Sequence, residues 1–410
     1  MEVKFPGERD RYVELNRDEL GYWHWTGEAI APGTRYLYRI DGDHERPDPA
    51  SFFQPDGVHQ PSAVVDQHAF QWRDAAWQGI DPSRMIIYEL HVGTFSPAAT
   101  FDGVVQRLDD LRELGVNTIE IMPVAQFPGK RNWGYDGVYL FAPQNSYGGP
   151  DGLKRLVDAA HRRGMAVLLD VVYNHFGPEG NYTSAFGPYT TSHYKTLWGD
   201  AVNFDNAWSY GVRDFFIANA LYWLEQFHID GLRLDAIQGI EDMSAVHLLR
   251  ELRDRVSDWQ RERATWPRRL IAESDLNDSR VIRPPEQGGY GIDAQWSDDF
   301  HHPLHTALTG EDRGYYADYL AFDDMQKALR HGVVYDGRFS WSRMRRHGNS
   351  FTGCRPDQLV VFSQNHDQIG NRLLGERLSV LVSFEACKLA AGAVILSPYI
   401  PLLFMGEEYA

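Results

Sequence analysis

Cysteine is scarce in this chain of 410 residues, which contains Cys354 and Cys387 and no others. Two cysteines this far apart build neither a disulfide framework nor a Cys-x-x-Cys metal motif, and their scarcity favours a reducing, cytoplasmic setting. Long hydrophobic runs are also missing, because no apolar stretch reaches the ~18 residues that a membrane span requires. The first residues show no charged segment followed by an apolar core, so we expect no signal peptide.

The chain has fewer basic than acidic residues. The sequence has 57 acidic against 40 basic residues, which gives a net charge of −17. Nucleic acids and anionic membranes bind basic surfaces, so we predict neither as a partner. A neutral substrate is compatible with this charge, and 12 Trp residues suit stacking on sugar rings, although aromatic cores use the same residues. Nothing in the sequence indicates a cofactor.

Residues 1–79 have the pattern of β structure. The segment Tyr36–Ile40 alternates as a strand does and ends at the turn dipeptide Asp41-Gly42. Pro47, Pro49, Pro55 and Pro61 then interrupt a loop that cannot be helical. Because the segment is short, we predict an incomplete N-terminal β-sandwich, of the carbohydrate-binding kind.

Residues 80–410 alternate between apolar strands and helical segments. The predicted strands are 86–92, 116–122, 165–172, 229–236, 269–273, 293–296, 358–363 and 399–404. Helices are predicted at 101–114, 151–163, 212–227, 245–259, 317–330 and 384–396. A doubly wound sheet would show the same alternation, but eight units favour a closed (β/α)8 TIM barrel in the α/β class. Residues 173–210 form an inserted loop region after the third strand.

The chain ends just after the eighth predicted strand. We therefore predict a barrel without its last helix and no β domain after it.

Charged side chains follow four of the predicted strands. They are Asp170 and His175 at the third strand, Arg233 and Asp235 at the fourth, Glu273 at the fifth, and His366 with Asp367 at the seventh. Reacting groups of such barrels lie at the C-terminal ends of the strands, so Asp235, Glu273 and Asp367 would meet at one mouth. Clustered anions repel and resist desolvation, which makes a purely structural purpose unattractive.

Cleavage of a glycosidic bond needs carboxyl groups of this kind. One carboxylate attacks the anomeric carbon while a protonated carboxyl group donates to the leaving oxygen. Neighbouring anions raise the pKa of the acid and keep it protonated near neutral pH. The same trio could instead bind a divalent metal. A role as surface residue or helix cap would explain any one of the acids, but not three at successive strand ends.

Four segments resemble the motif regions of the α-amylase superfamily, glycoside hydrolase family 13. They are 170–175, 231–235, 271–274 and 364–367, and they occur in the expected order on the expected strands. Further similarity lies at 127–137, 272–278, 293–302 and 364–372, and the resemblance extends from about Arg46 to the last residue. It implies a retaining mechanism that cuts the α-1,4 bond next to the terminal trehalose unit of a maltooligosyltrehalose substrate.

The resemblance also implies a role for each residue. Asp235 would be the nucleophile, Glu273 the acid/base and Asp367 the group that stabilises the transition state. Arg233 would keep Asp235 ionised, and Asp170 would support Arg233. His175 and His366 would donate hydrogen bonds to the sugar, and Tyr135 would stack on its ring. Asp293, Gln295, Trp296 and Asn371 would recognise the trehalose end.

Two rival functions share these features. A glucan branching or debranching enzyme of the same superfamily has the same three acids and acts on α-1,6 linkages. A non-catalytic amylase-like barrel would bind glycans, although such proteins commonly lack one of the acids.

His301, His302 and His305 could suggest a metal site. They lack the outer spacing of a zinc motif, so we predict a polar rim or a substrate-facing loop instead.

Overall fold

The computed structural model describes residues 1–263 and 265–409. At its centre, eight parallel strands form a closed barrel. The strands are β1 (Ile87–Leu90), β2 (Thr118–Ile121), β3 (Ala166–Val171), β4 (Gly231–Leu234), β5 (Arg269–Ala272), β6 (Ala294–Trp296), β7 (Leu359–Phe362) and β8 (Ile400–Phe404). Each pairs with its neighbours in sequence, and β8 pairs with β1 to close the ring. The predicted (β/α)8 barrel is confirmed.

Helices cover the barrel strands. They are α1 (Phe101–Val105), α2 (Leu108–Leu114), α3 (Gly149–His161), α4 (Ser209–Gln226), α5 (Leu248–Arg263), α6 (Asp298–Thr309), α7 (Ala321–His331) and α8 (Phe384–Ile395). The single helix predicted at 101–114 is in fact two. α2 ends at Gly115, whose φ of 103° is a left-handed conformation that glycine adopts without strain. β2 follows directly.

Side chains of the barrel strands alternate between the interior and the helical layer, as the period of a strand requires. The interior is filled by apolar residues that include Ile87, Leu168, Ile271, Trp296 and Phe362. Residues at intervening positions pack outward against the helices. The same alternation carries interior positions upward to the polar residues at the strand ends, which therefore face the mouth.

The N-terminal residues form one antiparallel sheet of five strands, together with a separate hairpin. The sheet contains Glu2–Phe5, Arg11–Glu14, Arg35–Ile40, His44–Arg46 and Ser62–Ala63, and the hairpin pairs Asn16–Arg17 with Trp23–His24. Residues beyond the sheet contact the barrel, since the ring of Phe52 stacks on Tyr222 at 4.9 Å and the Tyr139 hydroxyl donates to the Val58 carbonyl at 2.6 Å. The interpretation of residues 1–79 as an incomplete β-sandwich stays a prediction.

The segment after β3 contains a hairpin of its own. Thr190–Thr196 pairs with Gly199–Val202, and Leu197 and Trp198 form its turn. This turn reaches back to the barrel mouth, as described below.

In the described residues, 1–263 and 265–409, no helix is both long enough and apolar enough to cross a membrane.

Candidate active site

Arg233 lies at the centre of the barrel mouth. It occupies an interior position of β4 and is 0% exposed. Its Nη1 donates to both oxygens of Asp170 on β3, at 2.9 and 2.8 Å, and to Asp235 Oδ1 at 2.8 Å. Its Nη2 lies 2.9 Å from Glu273 Oε2. One guanidinium group therefore faces carboxylates from three consecutive strands, which offsets part of the cost of burying them together.

Asp235 directly follows β4. Its Oδ1 faces Arg233, and its Oδ2 accepts a hydrogen bond of 2.8 Å from the Asn174 side chain. The same amide also donates to the Asp235 carbonyl oxygen at 2.8 Å, so Asn174 fixes both the backbone and the side chain of this residue. Asn174 belongs to the 170–175 motif but carried no role in the sequence interpretation.

Glu273 directly follows β5. Its Oε2 accepts a hydrogen bond of 2.7 Å from the backbone N–H of Ala236. Burial raises the pKa of Glu273 to about 8, and the charges of Asp235, Asp367 and Asp298 act in the same direction, whereas Arg233 opposes them. At neutral pH this carboxyl group therefore holds its proton and can act as an acid.

Asp367 lies in the short helix His366–Gly370 after β7. Asn365 begins this helix and accepts hydrogen bonds from the N–H groups of Asp367 and Gln368. The Asp367 side chain is 44% exposed and lines a cavity together with Asp298 and Asn371. Its charge contributes to the raised pKa of Glu273. The structure thus brings Asp235, Glu273 and Asp367 together.

Tyr135 and His366 form a stacked pair beside Asp170. Their rings are 5.0 Å apart with an interplanar angle of 20°. The Tyr135 hydroxyl donates to Asp170 Oδ2 at 2.7 Å and lies 2.7 Å from His366 Nε2. Burial raises the pKa of Asp170 to about 6, although Arg233 lowers it. Asp170 therefore links the arginine to the aromatic pair.

His175 lies on the other side of Asp235. Its Nε2 is 3.0 Å from the Tyr135 carbonyl oxygen, and burial lowers its pKa, so the ring is neutral near pH 7. The indole of Trp198 stacks on it at 4.8 Å with an angle of 4°. Trp198 is 45% exposed at the turn of the inserted hairpin. The sequence interpretation missed it because nothing in the insertion predicted which tip residue returns to the mouth.

The structure does not place Asp293 and Gln295 at the mouth, where the sequence predicted them. Asp293 precedes β6 at the opposite end of the barrel, where it accepts a 2.9 Å hydrogen bond from the backbone of Leu270 and borders a cavity of about 440 Å³ with Met85 and Ile400. Gln295 occupies an outward position of β6, whose neighbours Ala294 and Trp296 face the interior. It is 0% exposed and cannot reach a sugar in the mouth. Asp293 is too far from the mouth because of its end of the barrel, and Gln295 because of its face of the strand, so neither contacts the substrate directly.

Trp296 lies inside the barrel, below the mouth. Its ring faces the Arg233 guanidinium at 4.4 Å, a cation–π contact that supports the arginine from beneath. Because Trp296 is 2% exposed, it contributes to the floor of the site through Arg233.

A cavity of about 190 Å³ adjoins Asp367. It is lined by Asp275, Asn277, Asp298, Asp299, His302, Tyr315, Tyr319, Arg343, Asp367, Gln368 and Asn371. Asn371 is thus near the position predicted for it. Asp298 was missed, although it follows β6 at an interior position, as the other acids follow theirs. Burial raises the pKa of Asp298 to about 7, and the charge of Asp367 adds to the effect.

The three histidines lie on helix α6 and not in a loop. His301 Nδ1 lies 2.8 Å from the Ser363 carbonyl oxygen, and His305 Nε2 lies 2.7 Å from Glu311. Burial lowers the pKa of His302 to about 4, so its ring is neutral. These side chains are buried in a helix and do not form a loop, and His302 lines the cavity next to Asp367. Among the residues that the structure describes, no group of three or more His, Cys, Asp or Glu has a metal-binding arrangement.

The barrel and the acids at its mouth are typical of one class of enzyme, and the sequence and structure of known proteins support the same class. The sequence profile of the alpha-amylase catalytic domain matches residues 74–207. A crystal structure from Salmonella typhimurium, described as an alpha amylase, superposes with a TM-score of 0.92 at 41% identity and covers 100% of this chain and 70% of that one. The protein is thus an α-amylase-type barrel.

Curated relatives narrow the class. A malto-oligosyltrehalose trehalohydrolase from Saccharolobus solfataricus is 51% identical over 396 residues, which are 97% of this chain and 69% of the relative. One from Arthrobacter ramosus is 46% identical over 402 residues, again 97% and 69%. The chain belongs to the malto-oligosyltrehalose trehalohydrolase family and spans about two thirds of the length of these relatives.

Proposed function

We propose that the protein is a retaining glycoside hydrolase that cleaves the α-1,4 bond next to the terminal trehalose unit of a maltooligosyltrehalose and releases trehalose. The observation that carries this proposal is the pair of Asp235 and Glu273 on a buried arginine, with Asp367 beside them, in which the pKa of Glu273 is raised to about 8. A site with one carboxyl group protonated and another ionised at the same pH supplies both halves of glycosidic cleavage.

In the first step, Asp235 attacks the anomeric carbon and forms a covalent glycosyl ester. Glu273 gives its proton to the glycosidic oxygen, whose bond to the anomeric carbon breaks, and trehalose leaves with that proton. Arg233 and Asn174 hold the Asp235 carboxylate in position for attack through hydrogen bonds at 2.8 Å.

In the second step, water hydrolyses the ester. The Glu273 carboxylate takes a proton from the water, whose oxygen attacks the anomeric carbon and releases Asp235. Glu273 ends the cycle protonated. Asp367 stabilises the positive charge that develops on the sugar in both transition states.

The remaining residues of the mouth would hold the sugar chain. Tyr135 offers a ring to the sugar in the cleaved subsite. His175 and His366 stay predicted hydrogen-bond donors to its hydroxyl groups, but the Nε2 of each already lies within hydrogen-bond distance of a Tyr135 oxygen atom. Trp198 extends the aromatic surface outward, since it is exposed and stacked on His175. Asn371 and Asp298 border the cavity next to Asp367, where we place the trehalose unit.

Incubation with maltotriosyltrehalose and chromatography of the products tests the proposal. We expect trehalose and maltotriose in equal amounts, with the new reducing end formed as the α anomer, because two displacements retain configuration. Production of the β anomer would contradict the retaining mechanism. The absence of trehalose together with new α-1,6 branches in amylose would replace the proposal with a branching enzyme, and glycan binding without cleavage would replace it with a binding protein.

The pH dependence gives a second test. Glu273 must be protonated in the first step, so kcat/KM should fall as the pH rises through about 8.

We also infer a reducing, cytoplasmic location, which the unbonded state of Cys354 and Cys387 supports.

A further inference from the structure

Glu89 is a buried carboxylate on β1 to which the mechanism above gives no role. It is 1% exposed and points into the barrel beneath the mouth. Its Oε1 lies 2.5 Å from His366 Nδ1, and its Oε2 accepts a 3.2 Å hydrogen bond from the backbone N–H of the same residue. Two contacts to one residue from a different strand fix both the ring and the backbone of His366.

The bond directions beyond His366 follow from the number of protons available. Both oxygens of Asp170 accept hydrogen bonds from Arg233, so Asp170 acts as a carboxylate with no proton to donate. In its contact with the Tyr135 hydroxyl, Asp170 is therefore the acceptor. That hydroxyl has one proton and gives it to Asp170. Its oxygen therefore accepts from His366, whose Nε2 must carry a proton.

We propose that Glu89 is a positioning residue for the glycosidase reaction. It holds His366 with Nε2–H directed at Tyr135, and thereby fixes the Tyr135 ring, Asp170 and Arg233 behind the nucleophile. A continuous series of polar contacts then runs from β1 to Asp235. The proposal rests on the proposed function for its kinetic readout.

Titratable groups from several elements face His366, some of them charged. They are Glu89 on β1, Glu120 on β2, His91 after β1, Tyr135 after β2, Asp170 on β3, Arg233 on β4 and Asp367 in its own helix. Burial lowers the pKa of His366, but the charge and hydrogen bond of Glu89 outweigh burial and raise this pKa to about 9. The ring is therefore a cation at neutral pH, and removal of the Glu89 charge should leave it neutral.

Glu120 provides a matched control. It is the register partner of Glu89 on β2, is equally buried and faces the same interior. Its Oε2 has no hydrogen-bond partner among the described residues. Burial raises the pKa of Glu120 well above its usual value, which favours the uncharged carboxyl group. A glutamine there preserves both shape and charge.

The test compares wild type, Glu89→Gln and Glu120→Gln in the full chain. For Glu89→Gln we expect kcat for trehalose release at pH 7 to fall about tenfold to a hundredfold, as loss of a group that orients a functional ligand typically does, with KM changed less than threefold. For Glu120→Gln we expect kcat within about twofold of wild type, because neither charge nor shape changes. Equal kcat values for the two variants would overturn the proposal.

A second readout needs no substrate. The ¹⁵N resonances of labelled histidines, with His366 assigned through a His366→Gln variant, report ring protonation directly. We expect His366 to be protonated at pH 7.5 in wild type and Glu120→Gln, and neutral in Glu89→Gln. Glu89→Asp keeps the charge and should restore the protonated ring and part of kcat. This variant also tests the proposal if Glu89→Gln does not fold.

The two readouts separate the two proposals. A wild-type chain that releases no trehalose counts against the proposed function alone. A His366 ring that titrates alike in wild type and Glu89→Gln overturns the positioning role, whatever the substrate is.

Discussion

The two ends of strand β4 bear buried charged clusters of opposite character. At the entry end, Asp230 accepts hydrogen bonds from the indoles of Trp77 and Trp266 at 2.7 and 2.8 Å, and from the Val167 N–H at 2.7 Å. His161 lies 2.8 Å away. At the exit end, Arg233 faces three carboxylates, and the next acids, Asp367 and Asp298, border open space.

The carboxyl groups at the two ends of β4 also differ in the direction of their pKa shifts. At the entry end, burial raises the pKa of Asp74, but hydrogen bonds from His161 and His228 lower it below the usual value, so the carboxylate is well stabilised. At the exit end, burial raises the pKa of Glu273 to about 8 and that of Asp298 to about 7. The cluster at the entry end of β4 therefore has stabilised charges and supports the fold. The cluster at the exit end has carboxyl groups with raised pKa values, which suit a reaction.

The largest expected effect is at the exit end. Asp235→Asn removes the attacking carboxylate but keeps the shape of the side chain. We expect kcat for trehalose release to fall on the order of 10⁴-fold or more, while the free energy of unfolding is unchanged or rises by about 1 kcal/mol, because a like charge is removed. Product chromatography and urea unfolding measure the two quantities. Retained turnover would contradict the assignment.

The reverse experiment is Asp230→Asn at the entry end. Removal of one partner from a buried ionic cluster costs about 3–5 kcal/mol of stability. We expect the midpoint of urea unfolding to fall accordingly, while kcat at low temperature stays within about twofold of wild type because the mouth is untouched. A large loss of kcat in a folded variant would show that the two clusters are coupled.

An intermediate effect is expected from Asp298→Asn. Above pH 7 this group is charged and raises the pKa of Glu273, so its neutralisation should move the alkaline limb of kcat/KM to lower pH. We expect a shift of less than about one pH unit. A shift to higher pH would mean that Asp298 acts on Glu273 through something other than its charge.

The pH dependence of stability also separates the two ends. His161 has a pKa raised above its unfolded value, because Asp230 and Asp74 outweigh burial. Its contribution is therefore complete below about pH 6.5 and is lost as the pH rises through the folded-state pKa. We expect the melting temperature to fall between pH 6 and 8.5, and the fall to be smaller in Asp230→Asn. An unchanged slope in the variant would assign the fall to other groups.

The smallest effect is expected at Gln295, on the outer face of β6. Neither amide atom has a hydrogen-bond partner among the described residues, so Gln295→Met should be neutral or stabilise the chain by about 1 kcal/mol. KM should not change, because the side chain faces the helices. A rise in KM would restore Gln295 to the substrate site.

Much of the fold and the centre of the site were predictable from the sequence. Eight apolar segments separated by helical ones indicated the barrel, and the position of Asp235, Glu273 and Asp367 after their strands indicated a shared mouth. These inferences succeed because strand period and barrel geometry are local rules.

The parts that failed depend on register and on long loops. Gln295 was assigned to the mouth although its position differs by one residue from that of Trp296, and a shift of one residue turns a side chain to the other face. The alternation of β6 contained that information, as it did for Asp298. The positions of Trp198 and Arg343 at the site could not be predicted from the sequence. Both residues come from segments without a periodic pattern, and tertiary contacts set the path of these segments.

The position of Arg233 also has a consequence for the order in which the barrel assembles. Its carboxylate partners come from β3, β4 and β5, and Glu273 is synthesised 40 residues after the arginine. Until β5 is in place, the mouth lacks Glu273, whose Oε2 lies 2.9 Å from the Nη2 of the arginine. The pair of Asp235 and Glu273 therefore becomes complete only when β5 joins the sheet, and Asp367 is added after that with β7.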